Sequence, residues 1–208
     1  MDYNTYIASI FKELNEKRIY NIISFSGGSE SEKEAEARVK EGIEELSSRK
    51  VAILTGGTKF GVPKFAVEQA KRVGLPTIGV YPARGTKYAL PSLDYAVEVS
   101  PRYEKSEWGD ESEIFAKLAN GVLLIGGGMG TMIEFSHIMK MNEARVKEGL
   151  QCVYVAPVVS SNSKSKELAD LIDILPVKTE VIKQSLPKQK YYNGRDAAIF
   201  LIDKLKIN

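Results

Sequence analysis

Gly121-Val122-Leu123-Leu124-Ile125-Gly126-Gly127-Gly128-Met129-Gly130-Thr131-Met132-Ile133-Glu134 joins a short apolar run to a glycine-rich turn and then to a segment of helical spacing. Val122 to Ile125 shows no polar alternation, which suits a strand buried on both faces of a parallel sheet. The glycines that follow allow a sharp turn, positive φ and close approach of a ligand to the backbone. From Thr131 to Arg145 there is no Pro or Gly, and Met132, Phe135, Ile138, Met139 and Met141 recur at near-helical spacing. The stretch reads as strand, loop, helix, with the loop at a helix N-terminus where unpaired N–H groups and the macrodipole favour an anion.

Working outward, the same pattern recurs twice upstream. Ile19 to Phe25 reads as a first strand ending in Ser26-Gly27-Gly28, and Val51 to Leu54 as a second ending in Thr55-Gly56-Gly57-Thr58-Lys59-Phe60-Gly61. Further strands are expected at Pro76 to Val80, Leu93 to Val99 and Cys152 to Ala156, with a short one at Val177 to Ile182. An N-terminal helix is expected over Asp2 to Arg18, burying Tyr6, Ile7, Ile10, Phe11 and Leu14. Others run from Ser29–Glu32, where Ser29/Glu32 and Ser31/Glu34 have capping-box spacing, to about Ser48; from Pro63 to Gly74; from Asp110 to Ala119; from Lys166 to Leu175; and from Arg195 to Lys206. Ser100 to Asp110 and Pro157 to Ser163 read as polar loops, and Lys183 to Tyr192 as a disordered connection.

Strands alternating with helices imply an α/β fold, a Rossmann-like, doubly wound, mainly parallel sheet with helices on both faces. The expected organisation is a single nucleotide-binding domain over residues 1–208, with an N-terminal helix to 18, a core over 19–157 and a C-terminal extension over 158–208. In such sheets ligands sit beyond the carboxyl ends of the strands, where the winding reverses. The three glycine turns all leave that edge and offer backbone N–H groups suited to phosphate oxygens. The candidate ligand-binding residues are Ser26, Gly27, Gly28, Gly56, Gly57, Thr58, Gly126, Gly127, Gly128, Met129, Gly130, Thr131 and Glu134.

A formal charge of +2 is too small to argue for nucleic acid or a membrane surface, and no apolar run approaches the length of a membrane span. A cytoplasmic protein is the default expectation. The only cysteine, Cys152, excludes an internal disulfide and sits in an apolar strand as inert core. With a single histidine, His137, no metal cluster is expected. The G-x-G-x-x-G frame fails from Gly126, where Thr131 takes the last place, and no G-x-x-x-x-G-K-[ST] exists, which argues against a P-loop ATPase and an ordinary NAD enzyme. Glu134 has two readings. With Thr131 it has the spacing of a capping box, which spacing alone favours; alternatively it is a carboxylate beside an anion loop, able to hold a ribose hydroxyl or stabilise an oxocarbenium-like sugar. Trp108, in a polar loop near the same edge, stacks on a base, covers the cleft or packs ordinarily.

Gly127, Gly128, Gly130, Thr131 and Glu134 match the P-G-G-x-G-T-x-x-E signature, and the chain thereby resembles the LOG family of phosphoribohydrolases and the wider SLOG group, which includes the molybdenum cofactor carrier proteins. Phe25-Ser26-Gly27-Gly28, Thr55 to Gly61 and Ile78-Gly79-Val80-Tyr81-Pro82 resemble the family's other turns and its third strand. The resemblance implies binding of a phosphorylated nucleotide or molybdopterin-like cofactor, as carrier or sensor. The alternative it implies is hydrolysis of nucleoside 5′-monophosphates to base and ribose 5-phosphate, with Glu134 catalytic and no cofactor or metal required. It also implies a homodimer or higher oligomer through helices beside the signature, although the Met132 to Met141 face fits intramolecular packing equally well. Two positions depart from the hydrolase pattern. Gly126 replaces the signature proline, as in the carrier branch, and Glu111 and Ser112 stand where the hydrolases carry an Arg-Lys pair. Arg84 and Arg102 are the candidates for a substitute cation.

Overall fold

Parallel strands with continuous apolar runs need cover on both faces, and this chain supplies it. The computed structural model describes residues 3–28, 33–103, 108–159 and 176–208. The strands are β1 (Asn21–Gly27), β2 (Val51–Thr55), β3 (Thr77–Pro82), β4 (Tyr95–Val99), β5 (Gly121–Ile125) and β6 (Tyr154–Val158). The helices are α1 (Tyr3–Glu16), α2 (Lys33–Leu46), α3 (Gly61–Arg72), α4 (Asp110–Leu118), α5 (Met129–Glu148), α6 (Thr179–Ser185) and α7 (Gly194–Leu205), with a 3-10 turn at Ala83–Tyr88. The sheet is six-stranded, in the order β4-β3-β2-β1-β5-β6, and every pairing is parallel.

Burial follows sheet position. β2 and β5 are buried at every residue, whereas the edge strand β4 alternates, with Tyr95, Val97 and Val99 inward and Ala96 and Glu98 exposed. One core joins Ile10 and Leu14 of α1, Phe115 and Leu118 of α4 and Phe135, Ile138 and Met139 of α5 to one face of the sheet. The other joins Val39, Ile43 and Leu46 of α2, Phe65, Ala66 and Ala70 of α3 and Ala198, Leu201 and Ile202 of α7 to the opposite face. Met132 and Met141 pack against the first core, while Phe11, expected inward, is exposed on the outer side of α1.

Winding from β1 runs outward through β2 and β3 to β4, then returns to β5 on the other side of β1. That reversal is the topological switch point. The β1–β5 register pairs Ile23 with Gly121 and Gly27 with Ile125, so the glycine turns after these strands emerge side by side.

The C-terminal region departs from expectation. Val177 to Ile182 is not a strand: α6 begins at Thr179 and buries Val181 and Ser185 one turn apart. The edge of β6 is taken instead by Tyr191, which bridges Val158, donates its N–H to Pro157 O (3.0 Å) and accepts from Val159 N (2.8 Å). Tyr191 and the buried Leu186 give the Lys183 to Tyr192 connection defined partners rather than disorder. The capping boxes at Ser29–Glu34 and the Lys166 to Leu175 helix fall wholly or partly outside the described residues. No described helix is long and apolar enough to cross a membrane.

Candidate functional site

The carboxyl ends of β1, β2 and β5 open into a cleft of about 390 Å³. Its walls include Ser26, Gly27 and Gly28 from the first turn, Gly56 and Thr58 from the second, and Gly128, Met129, Gly130, Thr131 and Glu134 from the third. Of the expected ligand-binding residues, Gly57, Gly126 and Gly127 do not face it. They shape the turns: Gly126 and Gly127 have φ of 63° and 112°, a region that favours glycine, and a Cβ on Gly127 would lie 2.7 Å from Thr131.

The turns are held to the rest of the framework. Val62 N donates to Gly28 O (3.0 Å), Leu90 N to Gly57 O (2.8 Å), and Thr58 bridges Ala89 in antiparallel fashion. Gly57 N is satisfied by Thr55 Oγ1 (3.0 Å).

Helix α5 starts two residues earlier than the spacing around Thr131 implied. Its N-cap is Gly128, without a side-chain cap, and Met132 N already bonds Gly128 O (3.0 Å). Thr131 is therefore the third residue of the helix and not its cap, and the capping-box reading of Thr131 and Glu134 fails. Helix geometry leaves the N–H groups of Met129, Gly130 and Thr131 without intrahelical acceptors, at the positive end of the macrodipole. Glu134, one turn in, accepts a short hydrogen bond from Ser26 Oγ across the switch point.

Although part of its surface remains accessible, desolvation raises the Glu134 pKa to about 7, Ser26 opposes the shift, and the negative charge of Glu111 adds to it. Glu134 is thus poised to be a proton donor or a carboxylate near neutrality.

Sequence reasoning noted Glu111 only as a departure and left Trp108 open; both bound the cleft, with Phe25, Pro63, Val80 and Pro82. Trp108 is 60% exposed, and the Arg84 guanidinium lies 5.2 Å from its ring centroid. Arg84 lines a small crevice behind the tryptophan and is not among the cleft residues. Arg102 turns away: it pairs with Glu113, and its N–H donates to Asp110 Oδ2 (2.9 Å). Neither candidate cation is a wall of the cleft, whose lining contains no Lys or Arg among the described residues. His137 is exposed on α5 outside the cleft. Cys152 is buried and its thiol is pushed up in pKa by desolvation. No described group of His, Cys, Asp and Glu could hold a metal ion.

Solved structures share this architecture. The molybdenum cofactor binding protein from the phototrophic bacterium Rippkaea orientalis aligns with a TM-score of 0.65 at 18% identity, over 89% of this chain and 97% of that one. The molybdenum cofactor carrier protein from Chlamydomonas reinhardtii gives 0.64 at 19%, over 89% and 98%. DNA processing protein A from Streptococcus pneumoniae gives 0.59 at 18%, over 90% of this chain and 62% of that one. At such identities the likeness is one of fold. No curated protein matches the chain. The model of the SLOG cluster4 family matches residues 20–170, most of the sequence, and the chain belongs to that family.

Proposed function

We propose that this protein binds a phosphorylated nucleotide or nucleotide-like cofactor at the glycine edge, as a carrier or sensor. The reading is carried by one observation: glycine turns from three strands meet at the switch point around the open N-terminus of α5. A phosphate placed there is held by backbone N–H groups and the helix dipole rather than by a side-chain cation. The fold shared with the two molybdenum cofactor proteins supports a cofactor of that kind among the ligands to be tried.

A second reading, N-glycosidic hydrolysis of nucleoside 5′-monophosphates, is favoured by Glu134, whose pKa near neutrality in a cleft suits acid–base work or charge stabilisation at an anomeric carbon. Glu111, in place of the cation the hydrolases carry, weighs against it. Thermal-shift titration with nucleoside mono-, di- and triphosphates tests binding, and absence of any stabilisation at millimolar ligand overturns both readings. Incubation with AMP and N6-substituted AMP separates them. Base release that disappears in Glu134→Ala puts hydrolysis first; binding without release supports the carrier or sensor.

A further inference from the structure

The cleft has two kinds of lining. Toward α5 it is glycine and backbone N–H; toward the start of α4 it presents an aromatic ring and a carboxylate three residues apart, Trp108 and Glu111. The indole is more than half exposed, bounds the cleft, and has Arg84 stacked on it from the adjoining crevice. A guanidinium on an indole fixes the ring as a wall, leaving its remaining surface for a planar ligand. Glu111 Oε2 accepts the Gly109 N–H (3.0 Å), which orients the carboxylate and leaves Oε1, together with a second lone pair on Oε2, for other donors. A carboxylate opposes phosphate but matches a pair of adjacent N–H donors, a bidentate arrangement stronger than neutral hydrogen bonds.

Resting on the nucleotide-binding reading, we propose that Trp108 and Glu111 form the ring-recognition wall of the cleft: the indole stacks a planar heterocycle, and the carboxylate accepts its ring N–H and neighbouring exocyclic N–H2. That donor pair is the edge shared by guanine and pterins, and it is absent from adenine. Glu111 thus specifies the ring.

Trp108 is the only tryptophan in the chain, so its fluorescence, excited beyond the absorption of the ten tyrosines, reports stacking directly. The full chain is titrated with GMP, IMP, AMP, neopterin and ribose 5-phosphate, with quenching and thermal shift read in parallel. GMP or neopterin is expected to quench Trp108 and to bind about tenfold or more tighter than IMP, which lacks the exocyclic amine, and than AMP. Glu111→Gln should bring GMP and IMP within about twofold of each other while leaving the unfolding temperature of the free protein unchanged. Trp108→Ala should lower GMP affinity about tenfold and leave ribose 5-phosphate unaffected, with Trp108→Phe in between. Preference for neopterin over guanosine, titrated beside it because both lack the phosphate, assigns the site to a pterin, and the reverse to a guanine nucleotide. Equal binding of GMP, IMP and AMP, or binding of GMP unaltered by both substitutions, overturns this assignment while leaving nucleotide binding intact. Failure of every nucleotide and pterin to bind overturns both.

Discussion

Gly27 and Gly130 belong to turns that meet at the same cleft, yet a side chain would meet opposite surroundings at the two positions. A Cβ on Gly27 would run into the Ile125 carbonyl oxygen and the Val62 side chain, so β1 and β5 could not keep their register. A Cβ on Gly130 would meet nothing within 4 Å. The same residue type is therefore closely packed in one case and open to the cleft in the other. Gly127 sides with Gly27, because positive φ and the Thr131 contact both exclude a side chain; Gly128, also open, sides with Gly130.

Substitution separates the two classes. The largest effect belongs to Gly27→Ala, expected to lower unfolding free energy by about 3 kcal/mol in urea titration, since the clash is with backbone that cannot rotate away. A Gly27→Ala protein as stable as the wild type would erase the distinction.

Next comes Glu134, whose folded pKa of about 7 lies above its reference value of 4.5. Between those values the native state binds more protons than the unfolded chain, so this group's contribution to stability is complete below pH 4.5 and is lost as pH rises through about 7. Glu134→Gln should be the more stable protein at pH 8 by up to about 3 kcal/mol, with the difference vanishing at acid pH in parallel thermal melts.

Gly130→Ala is expected to change stability by less than about 1 kcal/mol, because alanine suits a helix and meets no neighbour. It should nonetheless weaken by about tenfold the best-binding nucleotide found by thermal shift, read by calorimetry. Loss of stability without loss of binding would move Gly130 into the packed class. The smallest effect is expected from Arg102→Ala: the guanidinium is engaged by Glu113 and is not a wall of the cleft, so nucleotide affinity should stay within about twofold of wild type.

What the sequence made legible follows from which forces act locally. Short apolar stretches marked all six strands, Leu93 to Val99 among them, because strand burial leaves its trace in the residues themselves. The switch point followed from alternation of strands and helices, and with it the meeting of the three turns. Val177 to Ile182 misled because its β-branched residues favour extended backbone, whereas packing buries Val181 and Ser185 one turn apart on a helix. Thr131 and Glu134 misled because their spacing fits a cap, whereas the hydroxyl that engages Glu134 comes from Ser26, on a different strand. Arg84 and Arg102 look equivalent along the chain, and only tertiary packing sends one to Trp108 and the other to Glu113. Glu111 was visible as an anomaly, but its place beside Trp108 required the fold.

The hydrogen bonds tying Gly28 to Val62, Gly57 to Leu90 and Ser26 to Glu134 are made within the chain itself. The chain's own groups, and not a ligand, hold these residues in place. Binding there should therefore be kinetically simple, with an observed rate that rises linearly with ligand concentration and no slow closing step, so that differences in affinity among ligands arise chiefly from how long each one stays.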